Sequence, residues 1–145
     1  MTKSATHAAE HSGPAMTGSA IIAFRLVFTV AILVITHLAT TSLDYPLVAG
    51  VWDKLNHFLA FAVLAMLLDY SFPKERFGLW KFGSLCGYGV LLELIQYYLP
   101  YRFFSLFDVF ADGLGIGIYW LCGHWLIYVP GLKTRWQGMH LPPPV

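Results

Sequence analysis

Four apolar runs of about membrane-spanning length, set close together, decide what this chain of 145 residues can become. They cover residues 20–39, 55–72, 79–99 and 107–129, and three of them stop at a proline: Pro73, Pro100 and Pro130. A helix needs about 20 apolar residues to cross a hydrocarbon core of roughly 30 Å. Proline ends such a run because it cannot continue the helical hydrogen bonding. Membrane-spanning strands would instead be segments of about 10 residues with alternating polarity, a pattern these runs lack. The sequence predicts an all-α fold, an integral membrane four-helix bundle with four transmembrane helices and short connections.

Composition removes most alternatives. Charged residues make up 12% of the chain, about half the roughly 25% of a soluble domain, too few to coat a water-facing surface. The net charge of +1 offers no basic face, so no nucleic acid is expected as a partner. Residues 1–19 are polar and broken by Gly13-Pro14 and Gly18, and read as a disordered N-terminal tail. Residues 20–130 read as one membrane domain and residues 131–145 as a C-terminal tail. The first run is too long for the core of a signal peptide and has no cleavage-like site close behind it, so it is expected to remain as an anchor. Cys86 and Cys122 sit singly in apolar runs and read as small core residues.

Four crossings place both termini on one side. Lys3, Arg25, Lys74, Arg76, Lys81, Lys133 and Arg135 fall on the side of the tails and second loop, whereas only Lys54 and Arg102 fall on the other. The positive-inside rule then predicts cytoplasmic termini. Gly83-x-x-x-Gly87 and Gly113-x-x-x-Gly117 have the spacing that lets membrane helices approach closely, and are read as packing positions.

On this topology the polar residues gather in the outer leaflet. Asp53, Lys54, Asn56 and His57 open the second run, Glu93 and Gln96 lie in the outer half of the third, Arg102 lies in the following connection, and Asp108 and Asp112 open the fourth. The inner leaflet is left with loop charges and His124. Glu93 is the most informative: six residues before Leu99, it lies about 9 Å inside that boundary. A charge within a span costs about 2.5–3.5 kcal/mol on insertion scales, so Glu93 must face the bundle interior or find a partner. Gln96 at i+3 shares its face; Asp53 with His57, and Asp108 with Asp112, are i, i+4 pairs.

Each residue also has a plainer reading. Asp53 can cap its helix. Ser105-Leu106-Phe107-Asp108 has capping-box spacing. Lys54 can be a solvated interfacial lysine, Arg102 a headgroup anchor, and Glu93 a hydrogen bond that locks the bundle.

Asp53-Lys54-Leu55-Asn56-His57-Phe58 with Phe61, then Glu93-x-x-Gln96 with Pro100 and Arg102, then Asp108 with Gly113 and Gly115, resemble the VanZ-like family of small membrane proteins over residues 45–120. The family's last span often reads D-x-x-x-N, and Asp112 stands where that asparagine would be. The family takes its name from an accessory protein in resistance to the glycopeptide teicoplanin. The resemblance implies the inner (cytoplasmic) membrane of a bacterium and a role in the cell envelope, near lipids or envelope precursors; it implies no particular reaction.

Three functions stay open. A polar pocket in the outer leaflet can bind a lipid or cell-envelope headgroup, with Arg102, Lys54 and His57 meeting phosphate beside the N-terminus of the fourth helix. The site can instead belong to a membrane-interface enzyme acting on a phosphate-bearing lipid or envelope precursor. Glu93 and His57 would then be acid and base, or the acidic surplus would hold a divalent metal. Finally, the polar set can lock a structural subunit that works through a membrane partner or as a homo-oligomer. No cofactor motif is present in the sequence.

Overall fold

The computed structural model of the protein describes residues 16–41, 51–101, 105–129 and 132–137. Arg102, His7, His11, His140 and most of both expected tails lie outside them. Four long helices follow one another: α1 (Gly18–Thr40), α2 (Val51–Ser71), α3 (Leu79–Tyr97) and α4 (Leu106–Cys122). A 3-10 segment continues α4 over Gly123–Tyr128, and a short α5 covers Thr134–Gln137. The described residues contain no strand, so the all-α expectation holds.

Local chemistry sets the helix ends. Thr17 caps α1, its Oγ1 accepting from the amide of Ala20 at 3.3 Å, an oxygen offered to an otherwise unpaired donor. Asp53 falls in the first turn of α2 rather than before it, where a carboxylate suits the positive end of the helix dipole. The expected capping box at α4 does not form. Ser105 precedes the helix but its side chain caps nothing, and its own amide donates to Glu93 rather than to Asp108.

Two helices are long and apolar enough to cross a membrane: α1, with mean hydropathy 2.4, and Leu106–Leu126, with 1.3. The middle helices do not meet the same measure. α2 carries Asp53, Lys54, Asn56, His57 and Asp69, and α3 carries Lys81, Glu93 and Gln96. Asp69, Lys81, Glu93 and Gln96 among them are buried.

The helices run alternately up and down. Arg25 near the start of α1 donates to the carbonyl of Ser71 at the end of α2, while Gln96 near the end of α3 donates to Ala39 at the end of α1. α2 presents Phe61, Leu64, Ala65 and Leu68 to the core, the i, i+3, i+4, i+7 stripe of a packed helix. Leu85 and Leu92 from α3 and Ile116 and Tyr119 from α4 complete it.

Which glycines allow this packing corrects the sequence reading. A Cβ on Gly83, Gly87, Gly113 or Gly117 would meet nothing within 4 Å, so neither expected glycine pair packs helices within the bundle. The close approaches are at Gly115, where a Cβ would run into the carbonyl of Phe58, and at Gly89, where it would lie 2.6 Å from Asp112 Oδ2. The backbones of α2 and α4 meet at Gly115.

Candidate functional site

The starts of α2 and α4 and the ends of α1 and α3 share one end of the bundle, and five acidic or imidazole groups converge there. His57 Nδ1 lies 2.9 Å from Asp112 Oδ1, joining α2 to α4. Lys54 Nζ lies 3.3 Å from Asp108 Oδ1, joining the same helices one turn nearer the end. Glu93 Oε2 accepts from the Ser105 amide at 2.9 Å, joining α3 to the start of α4. Donor atoms of Asp53, His57 and Asp108 all lie within 4.8 Å of one another, a spacing that a metal ion could bridge. The i, i+4 spacings produce this convergence, each pair putting both of its side chains on one helix face.

Burial grades the set. Glu93, Asp108 and Asp112 are buried, Asp53 and His57 half-buried, and the Lys54 side chain is 42% exposed. Glu93 Oε1 and Asp112 Oδ2 are buried with no hydrogen-bond partner among the described residues. A buried acceptor without a partner costs about 1–3 kcal/mol, more when charged, so the cluster is arranged at a cost to stability.

A cleft of about 460 Å³ opens beside the cluster, between α1, α2 and α3. Asp53, Asn56, His57 and Gln96 are its polar lining residues, and Ile35, Leu38, Ala60, Phe61 and Leu92 are among its apolar ones. Gln96 separates from Glu93 here. Both are buried on α3, but the Gln96 amide reaches 3.1 Å to the Ala39 carbonyl of α1, while Glu93 turns toward α4. Arg102, expected to meet phosphate, lies outside the described residues. Tyr101, at the same end, donates to Thr40 at 2.7 Å.

The opposite end holds a buried network that the sequence reading did not anticipate. Asp69 accepts from Lys81 Nζ at 2.7 Å, from an Arg135 guanidinium nitrogen at 2.9 Å and from the Tyr119 hydroxyl at 2.8 Å. Lys81 also donates to the carbonyls of Phe72 and Glu75, and Arg135 to those of Pro73 and Glu75. Lys81 and Arg135, counted in the sequence among the basic residues on the side of the tails and second loop, are 0% and 1% exposed. Asp69 carried the signal, as an ionisable residue inside the second apolar run.

Comparison with known proteins gives one result. The family model described as VanZ/LLP1 matches residues 2–128, which adds the first helix and the N-terminal segment to the stretch carrying the sequence resemblance. No curated protein and no solved structure matches significantly.

Proposed function

The chain belongs to the VanZ/LLP1 family, and from that premise we propose that it is a four-span inner-membrane protein whose polar cleft holds the headgroup of a lipid or cell-envelope precursor. The outward faces of all four helices support the spans. Leu26, Val30 and Leu33 on α1, Leu59 and Val63 on α2, Leu91 and Leu94 on α3, and Phe110 and Leu121 on α4 are exposed. Acyl chains accept such a surface and water does not. Asp69 of α2 and Lys81, Glu93 and Gln96 of α3 are buried, which is where a span can carry polar groups.

The observation that carries the binding reading is the cleft of mixed polar and apolar lining. Its volume falls within the roughly 300–1,000 Å³ of small-molecule sites, and its lining suits an amphiphile, combining amide, imidazole and carboxylate groups with aliphatic and aromatic ones. The half-exposed Lys54 can lend its ammonium to a phosphate at the rim. Native mass spectrometry of the full chain released from membranes tests this. Wild type is expected to retain an amphiphile, and His57→Ala and Gln96→Ala to lose it. Equal retention by all three proteins would reject the cleft as the binding site.

A second reading, a membrane-interface enzyme acting on a phosphate-bearing lipid, draws on His57 and Asp112. A carboxylate that fixes an imidazole is the usual support for a general base. Turnover of an added lipid phosphate by wild type, lost in His57→Ala while the lipid is still bound, would favour it over simple binding.

A further inference from the structure

We propose that Asp53, His57 and Asp108 form a binding site for a divalent transition-metal ion, open to the cleft. This goes beyond headgroup binding and does not depend on it. Two helices contribute the donors, Asp53 and His57 from successive turns of α2 and Asp108 from the first turn of α4, with the ligand atoms within 4.8 Å of one another. Two carboxylate oxygens and one imidazole nitrogen are a donor set for zinc or manganese rather than for calcium or magnesium, which take oxygen ligands almost exclusively.

Asp112 fixes the His57 ring, Oδ1 lying 2.9 Å from Nδ1, so Nε2 is the nitrogen that would ligate the ion. Ligating histidines are commonly fixed by a carboxylate on their other nitrogen. Buried carboxylates at this end supply the independent sign that a ligand is expected. Glu93, 0% exposed, and Asp112, 1% exposed and bonded to His57, each keep one oxygen without a partner among the described residues; that of Asp112 is turned toward Gly89 of α3.

The charge balance points the same way. Among the described residues, Asp53, Glu93, Asp108 and Asp112 gather against one ammonium, Lys54, and the positive ends of two helices, worth about half a charge each, an acidic surplus. One divalent ion offsets that surplus. Three protein ligands leave coordination positions open, as at zinc sites that bind an exchangeable group, and the cleft lies beside them. An anionic headgroup oxygen could occupy such a position in a site that is otherwise repulsive to anions.

The test uses the full-length chain in nanodiscs of phosphatidylglycerol and phosphatidylcholine. It is stripped with EDTA, dialysed against micromolar zinc or manganese chloride, and assayed by elemental analysis. Wild type is expected to retain one ion per chain. Asp53→Asn, His57→Ala and Asp108→Asn abolish that retention, and Asp112→Asn weakens affinity by roughly 10–100-fold. Glu75→Gln, an exposed carboxylate at the far end, leaves it unchanged. Because a variant can fail to fold, the wild-type result decides by itself: no stoichiometric ion in the wild-type protein overturns the proposal. Retention unchanged in all three ligand variants also overturns it, as does equal affinity for magnesium. Lipid measured in the same samples keeps the two readings apart. An ion bound without any retained amphiphile supports the metal site and rejects headgroup binding, whereas an amphiphile retained by a protein that binds no ion does the reverse.

Discussion

Glu93 shows how one side chain holds two parts of the fold. Its carboxylate takes the Ser105 amide that a capping box would have given to Asp108, so the start of α4 is fixed from α3 rather than from within its own helix. Glu93→Gln keeps an acceptor oxygen at that place and is expected to melt within about 1 kcal/mol of wild type. Glu93→Ala leaves the amide unpaired and should cost about 1–3 kcal/mol; thermal unfolding in detergent compares the two, and equal loss in both would mean the hydrogen bond is not what matters. Asp69 is the sharper case. It pairs with Lys81 and Arg135 in full burial, and removing one partner of a buried ion pair costs about 3–5 kcal/mol. Asp69→Asn should therefore unfold well below wild type, and a melting point unchanged by it would contradict the buried network. The same rule that drew attention to Glu93, an ionisable group inside an apolar run, applies to Asp69. It lies three residues from the end of its run, where Glu93 lies six from the end of its own; in the sequence Lys81 and Arg135 count only as basic residues of the tail and second-loop side, and no pattern there says that those cations fold back onto it.

Helix α4 makes plain what spacing can and cannot specify. Asp108, Ala111, Asp112, Gly115, Ile116 and Tyr119 form its buried face, and the acidic pair at i, i+4 marks that face in the sequence. Successive residues turn about 100° around a helix, so Gly113 and Gly117 lie well off a face centred on Asp112 and Ile116. The glycine spacing alone invited the opposite assignment, because it says that two small residues share a side but not which side is turned inward. The pair of carboxylates could have settled the choice. Gly115→Ala forces a methyl into the Phe58 carbonyl and is expected to lower stability by about 1–3 kcal/mol or more. Gly113→Ala meets open space and should change it by no more than about 1 kcal/mol, with the higher helix propensity of alanine in its favour. Chemical denaturation of the two variants checks the contrast, and a reversed order would mean that α4 is rotated from the face described.

The molecule as a whole is a bundle with a different polar device at each end: a closed, buried ion-pair cluster around Asp69 and, around His57, a more open one beside the cleft. Four helical elements and the gathering of Asp53, His57, Glu93, Asp108 and Asp112 at one end were legible from run length and helical spacing. The cleft was not, since its apolar lining borrows Ile35 and Leu38 from α1, a helix whose own sequence carries no sign of a site. The four-span reading predicts that single cysteines replacing Asn56 and Glu75, at opposite ends of the bundle, react with a membrane-impermeant thiol reagent from opposite faces of the membrane. Labelling of both from the same face would contradict it. A high-resolution structure of the full chain in a lipid nanodisc bears most directly on the proposed cleft. The expected result is an amphiphile with its polar end among Asp53, Asn56, His57 and Gln96 and its tail along Ile35, Leu38 and Phe61. A cleft closed by its own side chains, with the carboxylates of α2 and α4 turned apart, would contradict the account.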